Sequence, residues 1–125
     1  MKYLLDTHVL LWAATADKKI PKEIVSILTN RSFDVCYSVV CIWELAIKEA
    51  KEKIELPKNF FSELPKLGFR CLDVKEHHIH TLRKIPASHG DPFDRMLIAQ
   101  AKAENMTLIT RDKKLTIYPT KILAI

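Results

Sequence analysis

The chain has 125 residues, the usual size of one domain, so we expect a single domain over 1–125 without a separate cofactor module. Hydrophobic residues make up 48% and charged residues 28%, an ordinary globular composition that argues against disorder. Only two glycines are present, Gly68 and Gly90. They cannot form a Gly-rich phosphate loop or a dinucleotide fingerprint, so those classes of nucleotide-binding protein are excluded.

The charge balance is basic, because 20 Lys and Arg residues against 15 Asp and Glu residues give a net charge of +5. Such a surface attracts polyanions, nucleic acid above all, although the same charge also keeps a small protein soluble. The three cysteines form no zinc-type or C-x-x-C spacing, which fits a reduced cytosol. The apolar start stops at Asp6, too early for a signal peptide, and no later stretch is long enough to span a bilayer. We therefore expect a cytoplasmic protein with no membrane segment.

In chain order, short apolar runs alternate with segments of helical periodicity. The predicted strands cover 2–5, 34–38, 69–74, 106–110 and 121–125. The predicted helices cover 7–14, 21–30, 39–50 with a charged end to 55, 59–67 interrupted by Pro65, 76–84 and 92–105. This alternation is typical of the α/β class, with a mostly parallel sheet covered by helices.

Four carboxylates adjoin apolar elements. Asp6 and Asp112 follow strands, and the carboxyl ends of parallel strands share one edge of a sheet, where ligands bind. Asp94 lies one turn before Ile98, on the side of its helix that must face the sheet. Glu44 lies near the start of a helix that follows a strand. We therefore expect all four acids to meet in one pocket.

Four ionised carboxylates in one pocket repel each other and raise each other's pKa, so a cation is expected among them. Oxygen-only ligands favour Mg²⁺ or Mn²⁺. Such an ion activates water and stabilises the leaving oxygen of a phosphodiester, which indicates a hydrolase acting on nucleic acid. Basic residues near the acids are candidates for holding the phosphates: Lys48, Arg95, Arg111, Lys113 and Lys114.

Each acid also has a structural interpretation that the spacing leaves open. Asp91 is best explained as a helix cap, and Asp94, three residues on, can be the reciprocal acid of a capping box. Asp6 can cap the helix that follows it, Glu44 can be a solvated or salt-bridged helix residue, and Asp112 can be a turn residue.

Other conspicuous residues favour structural roles. One predicted helix carries three close histidines: His77, His78 and His80. Their spacing does not place all three on one side of the helix, so a solvated face is favoured over a metal site. His89 can contact phosphate or be a plain loop residue. Trp12 and Trp43 lie on apolar stripes, which favours core packing over base stacking.

Four segments together resemble the successive motifs of PIN-domain ribonucleases, specifically the VapC-like toxins of bacterial toxin–antitoxin pairs. They are LLDTH with LLW (4–12), SVVCIWELAIK (38–48), HGDPFDR with LIAQA (89–101) and LITRD (108–112). The resemblance covers nearly the whole chain and places one acid in each segment. Two positions depart from the family pattern: Cys41 replaces a common small hydroxyl residue, and Glu52 replaces a glycine.

The resemblance implies a three-layer α/β/α sandwich, a PIN-like fold, that cleaves RNA endonucleolytically. It implies that Asp6, Glu44, Asp94 and Asp112 are the catalytic acids and bind Mg²⁺ or Mn²⁺. It also implies a homodimer, held inactive by a small antitoxin that covers the active-site groove.

The leading hypothesis is therefore a metal-dependent endoribonuclease acting as a toxin. One alternative is a catalytically degenerate domain that binds RNA or a protein partner without cleavage. Another is a phosphatase with Asp6 as the nucleophile, but that chemistry usually needs a second acid two residues on, where this chain has His8.

Overall fold

A computed structural model describes residues 1–86 and 90–125; His89 lies outside the described residues. The described residues form five strands: β1 (Lys2–Leu5), β2 (Asp34–Ser38), β3 (Arg70–Leu72), β4 (Thr107–Thr110) and β5 (Ile122–Ala124). The α-helices in the same part of the chain are α1 (Thr7–Ala14), α2 (Lys22–Thr29), α3 (Val39–Ala50), α4 (Phe60–Glu63), α5 (Glu76–Arg83) and α6 (Pro92–Ala103). Two 3-10 helices cover Leu64–Leu67 and Lys113–Ile117.

The strands form one sheet in the order β3-β2-β1-β4-β5, and every pairing is parallel. Consecutive residues of β1, β2 and β4 are buried, which requires cover on both faces of the sheet because neighbouring side chains point to opposite faces. The predicted α/β sandwich is therefore confirmed. The chain passes from β1 to one side and returns to its other side at β4, so β1 lies where the winding reverses.

The hydrophobic core lies on the three central strands and on α6. Leu4, Leu5, Leu108 and Ile109 of the strands are fully buried, as is Ile98 of α6. Within the described residues, no helix is both long and apolar enough to cross a membrane.

Most predicted elements are present but shorter than expected. Pro21 is the residue before α2 rather than its first residue, and the 3-10 helix Lys113–Ile117 was not predicted. Helix α3 ends at Ala50, and Glu52 then adopts φ of 56°, a left-handed conformation that favours glycine. Glutamate thus occupies a left-handed turn position, and the charged run to 55 does not continue the helix as predicted.

The prediction that Trp43 packs in the core is wrong. Its side chain is 61% exposed, and its ring contacts Phe93 edge-on with a centroid separation of 5.0 Å. Trp12 is half-buried and lies near two cations, Lys19 and Arg111, at 5.6 and 5.9 Å from its ring centroid. Helical periodicity identified an apolar stripe on α3 but could not show that part of it would lack a neighbouring element.

Candidate active site

A cavity of about 220 Å³ opens at the carboxyl edge of the sheet. It is lined by Asp6, Thr7, His8, Glu44, Lys48, Asp91, Asp94, Arg111 and Asp112. All four acids singled out in the sequence therefore face one space. Asp6 follows the central strand β1 and Asp112 follows its neighbour β4, while Glu44 and Asp94 come from α3 and α6, which adjoin the same edge.

Asp6 both caps a helix and belongs to the cavity. Its Oδ1 accepts a hydrogen bond from the backbone N–H of Val9 at 2.8 Å, so the capping interpretation is correct. Its Oδ2 accepts from the Thr110 hydroxyl at 2.5 Å and from the Arg111 N–H at 3.2 Å. Burial raises the pKa of Asp6, and these three hydrogen bonds act in the opposite direction. A cation bound beside this carboxylate would favour its ionised form.

Glu44 is buried and held by two side chains. Its Oε1 accepts from the Thr7 hydroxyl at 2.5 Å, and its Oε2 lies 2.7 Å from Nζ of Lys48, one helical turn along α3. Only 5% of Glu44 is exposed. The salt-bridged interpretation is therefore correct, but the pair lies inside the cavity rather than on a solvated helix face.

The remaining acids are also anchored by backbone groups. Asp91 Oδ1 accepts from the N–H groups of Phe93 and Asp94 at 2.9 and 3.2 Å, which confirms it as the cap of α6. Asp112 caps the second 3-10 helix, because its Oδ1 accepts from the Lys114 N–H at 2.9 Å. These caps fix the start of α6, which carries Asp94, and the start of the 3-10 helix that follows β4.

Two of the five basic residues predicted to hold phosphates line the cavity and three do not. Lys48 and Arg111 line it, and Nη2 of Arg111 lies 3.1 Å from Nε2 of His8. Burial, followed by the charges of Arg111 and Lys48, lowers the pKa of His8, so the neutral ring can accept this hydrogen bond. Arg95 instead donates to the carbonyl of Ile85 at 3.0 Å. Lys113 and Lys114 are exposed on the second 3-10 helix, outside the cavity lining.

Three lining or adjoining residues were not predicted from the sequence: Thr7, His8 and Thr110. The Thr110 hydroxyl donates to Asp6 and accepts from the Asp112 N–H at 3.0 Å, so it connects two acids. Their position in the sequence could have identified them, since each lies within two residues of an acid that follows a strand. Polar residues at such places are candidates for holding the acids in position.

The donor set fits a hard divalent cation. The cavity offers carboxylate oxygens from four segments of the chain, and no cysteine is among the described residues that line it. Mg²⁺ and Mn²⁺ prefer oxygen ligands of this kind, and the buried Asp6 would gain a compensating charge from either ion.

The second group of possible ligands is the cluster His77, His78 and Glu104, whose ligand atoms lie within 4.8 Å of one another. His78 is fully buried, so the predicted solvated face is wrong for this residue. Its Nδ1 accepts from the Lys75 N–H at 2.9 Å, which places the proton of the neutral ring on Nε2, 2.9 Å from Glu104. A metal at Nε2 would displace that proton to Nδ1, where it would meet the Lys75 N–H.

The cluster therefore serves to hold α5 against the end of α6. His77 Nε2 lies 2.7 Å from the same Glu104 oxygen, and these two histidine contacts lower the pKa of Glu104. His80 does not belong to this cluster, and its Nε2 lies 3.5 Å from Oε1 of Glu76.

The fold and the acidic cavity together define the class of protein. The PIN domain family matches residues 3–120, so the chain belongs to the PIN-domain family. It is 27% identical over 115 residues to ribonuclease VapC22 of Mycobacterium tuberculosis, covering 90% of this chain and 88% of that protein. The resemblance stated from the sequence is thereby confirmed.

Solved structures share the fold over the whole chain. One is VapBC2 from Rickettsia felis bound to a DNA fragment from their promoter, with a TM-score of 0.74, 18% identity and coverage of 100% of this chain and 99% of that chain. Another is a toxin–antitoxin complex from Klebsiella pneumoniae, with a TM-score of 0.69, 14% identity and coverage of 98% and 96%.

Proposed function

We propose that the protein is a Mg²⁺- or Mn²⁺-dependent endoribonuclease and the toxin of a toxin–antitoxin pair. The observation that carries this proposal is the convergence of Asp6, Glu44, Asp94 and Asp112 on one cavity. They come from four distant segments of the chain, and a cation bound among them would reduce their mutual repulsion.

The chain's own residues supply binding, orientation and charge. Asp6, Asp94 and Asp112 would hold the ion, and Glu44 completes the acidic site. The bound ion would lower the pKa of a water ligand and stabilise the leaving oxygen of the phosphodiester. Arg111, held by His8 at the cavity rim, binds the RNA phosphate as a charge-assisted donor. Hydrolysis proceeds without a protein nucleophile.

The biological role is supported by the relatives. VapC22 is named a ribonuclease, and the Klebsiella structure is described as a toxin–antitoxin complex. We infer that this chain acts on cytoplasmic RNA and that a small antitoxin inhibits it by covering the groove over the acidic cavity. The basic net charge of +5 suits an RNA substrate.

The direct test is RNA cleavage by protein purified free of any antitoxin. We expect cleavage in Mg²⁺ or Mn²⁺, none in EDTA, and recovery when the ion is restored. Cleavage that continues in EDTA would exclude the proposed chemistry. RNA binding without cleavage in either ion would instead support the alternative of a degenerate binding domain.

We also propose that the protein is a homodimer formed through an apolar groove. The groove has a volume of about 550 Å³ and is lined by Val39, Val40, Trp43, Val74, Leu82, Pro92, Phe93 and Met96. Trp43 projects beside this concave surface, so a second copy related by a two-fold axis can bury both tryptophans reciprocally.

Trp43→Asp in this groove is expected to raise the dissociation constant of the dimer at least about 30-fold, which is the effect of losing an interface hot spot. Sedimentation equilibrium of the wild type and of Trp43→Asp measures this dissociation constant. Ile117→Asp is the matched control, since Ile117 is also an exposed apolar residue but does not line the groove. A monomeric wild-type protein, or equal dimerisation of Trp43→Asp, would contradict this interface.

A further inference from the structure

Lys48 lines the acidic cavity and forms an ion pair with Glu44, an acid that could otherwise bind a metal ion. Its ammonium lies 2.7 Å from Oε2 of Glu44, and the two side chains are 33% and 7% exposed. The other oxygen of Glu44 accepts the Thr7 hydroxyl at 2.5 Å. The chain itself therefore engages both oxygens of this carboxylate, one of them with a full positive charge.

The hydrogen bonds on two other acids are different in kind. Asp6 accepts from two backbone N–H groups and a hydroxyl, and Asp112 accepts from the backbone N–H of Lys114. These donors are neutral, so they orient the carboxylates without cancelling their charge. A divalent ion is attracted to acids of this kind more strongly than to Glu44, whose charge Lys48 already compensates.

An ion bound directly to Glu44 would also approach Lys48 closely. Metal–oxygen distances for Mg²⁺ are about 2.0–2.1 Å, and the lysine nitrogen lies within hydrogen-bond distance of the same carboxylate. The two cations would repel each other at this short separation. Binding at Glu44 therefore requires that Lys48 be displaced.

We propose that Lys48 is a permanent internal cation and that the cavity takes one exchangeable divalent ion, held by Asp6, Asp94 and Asp112. This inference rests on the proposed function and specifies the cation content of the same site. Glu44 then acts as a positioning residue, which keeps the ammonium beside the reacting phosphate. The fixed charge of Lys48 does the electrostatic work that a second ion does in two-metal sites.

The test counts Mn²⁺ ions on purified, RNA-free protein, by calorimetry and by the electron paramagnetic resonance signal of unbound Mn²⁺. We expect one ion per chain in the wild type. Lys48→Met, which keeps an apolar stem but removes the charge, is expected to bind two. Lys48→Arg keeps the charge and is expected to bind one, which makes it the matched control.

Two further variants identify the ligands by the same count. Glu44→Gln is expected to retain one ion, and Asp94→Asn is expected to lose it. Two ions in the wild type, or a single ion in Lys48→Met, would overturn the role of Lys48 and leave the proposed nuclease function intact. A wild-type protein that binds no Mn²⁺ would overturn both, and circular dichroism of each variant confirms that it is folded.

Discussion

Replacing Asp94 with asparagine is expected to reduce metal-dependent RNA cleavage by at least about 100-fold. Loss of a group that merely supports a metal ligand typically costs about 10- to 100-fold in affinity or activity, and a direct ligand should cost at least the upper figure. Asparagine has nearly the same shape as aspartate, so the lost interaction is the carboxylate charge. Initial rates of RNA cleavage in saturating Mn²⁺ measure the effect.

The same substitution is expected to reduce activity without lowering stability. Without metal, Asp94→Asn is expected to unfold at the same temperature as the wild type or higher, because it removes one of the like charges lining the cavity. Thermal unfolding in EDTA measures this, and Asp73→Asn is the control, since Asp73 is exposed and outside the cavity. A clear loss of melting temperature in EDTA would show that Asp94 mainly supports the fold.

Replacing Ile98 with alanine is expected to lower the free energy of unfolding by about 2–5 kcal/mol. Ile98 is fully buried and lies on α6, which packs on β1 and β4. Truncation leaves a cavity between the helix that carries Asp94 and the strand that precedes Asp6. Urea unfolding measures the change, with the dependence on urea concentration expected to stay the same.

Two variants control for the identity of the residue. Ile98→Val should cost only about 0.5–1.5 kcal/mol, since it removes one methylene. Ile79→Ala makes the same chemical change at a position that is 45% exposed, and it is expected to alter stability by no more than about 0.5 kcal/mol. Equal losses at positions 79 and 98 would contradict the assignment of Ile98 to the core.

Local pattern was sufficient to identify the elements and the acids that end them. The strand before Asp6, the helix capped by Asp91 and the strand before Asp112 depend on residues close together in the chain, and all three are present. The caps were also readable, because a carboxylate that accepts N–H groups two or three residues away needs no distant partner. Element ends were less accurate, since tertiary contacts decide where the last turn frays.

Contacts between distant segments could not be predicted from local sequence pattern. His78 is buried because α5 packs on α6 and brings Glu104 to its ring, and the helical spacing of the histidines carries no information about that neighbour. Arg95 binds the Ile85 carbonyl instead of facing the cavity. Trp43 lies on an apolar stripe, but its ring is exposed, contacts Phe93 and lines the groove.

The amino-acid sequence by itself determined the parallel α/β arrangement and the edge of the sheet at which the acids collect, because the direction of each strand fixes where its carboxyl end lies. Only the tertiary structure decided that β1 lies between β2 and β4, and that the Thr7 hydroxyl donates to Glu44. The strand order and the Thr7 contact depend on segments more than 30 residues apart. Local periodicity does not specify them, and the packing of the whole chain does.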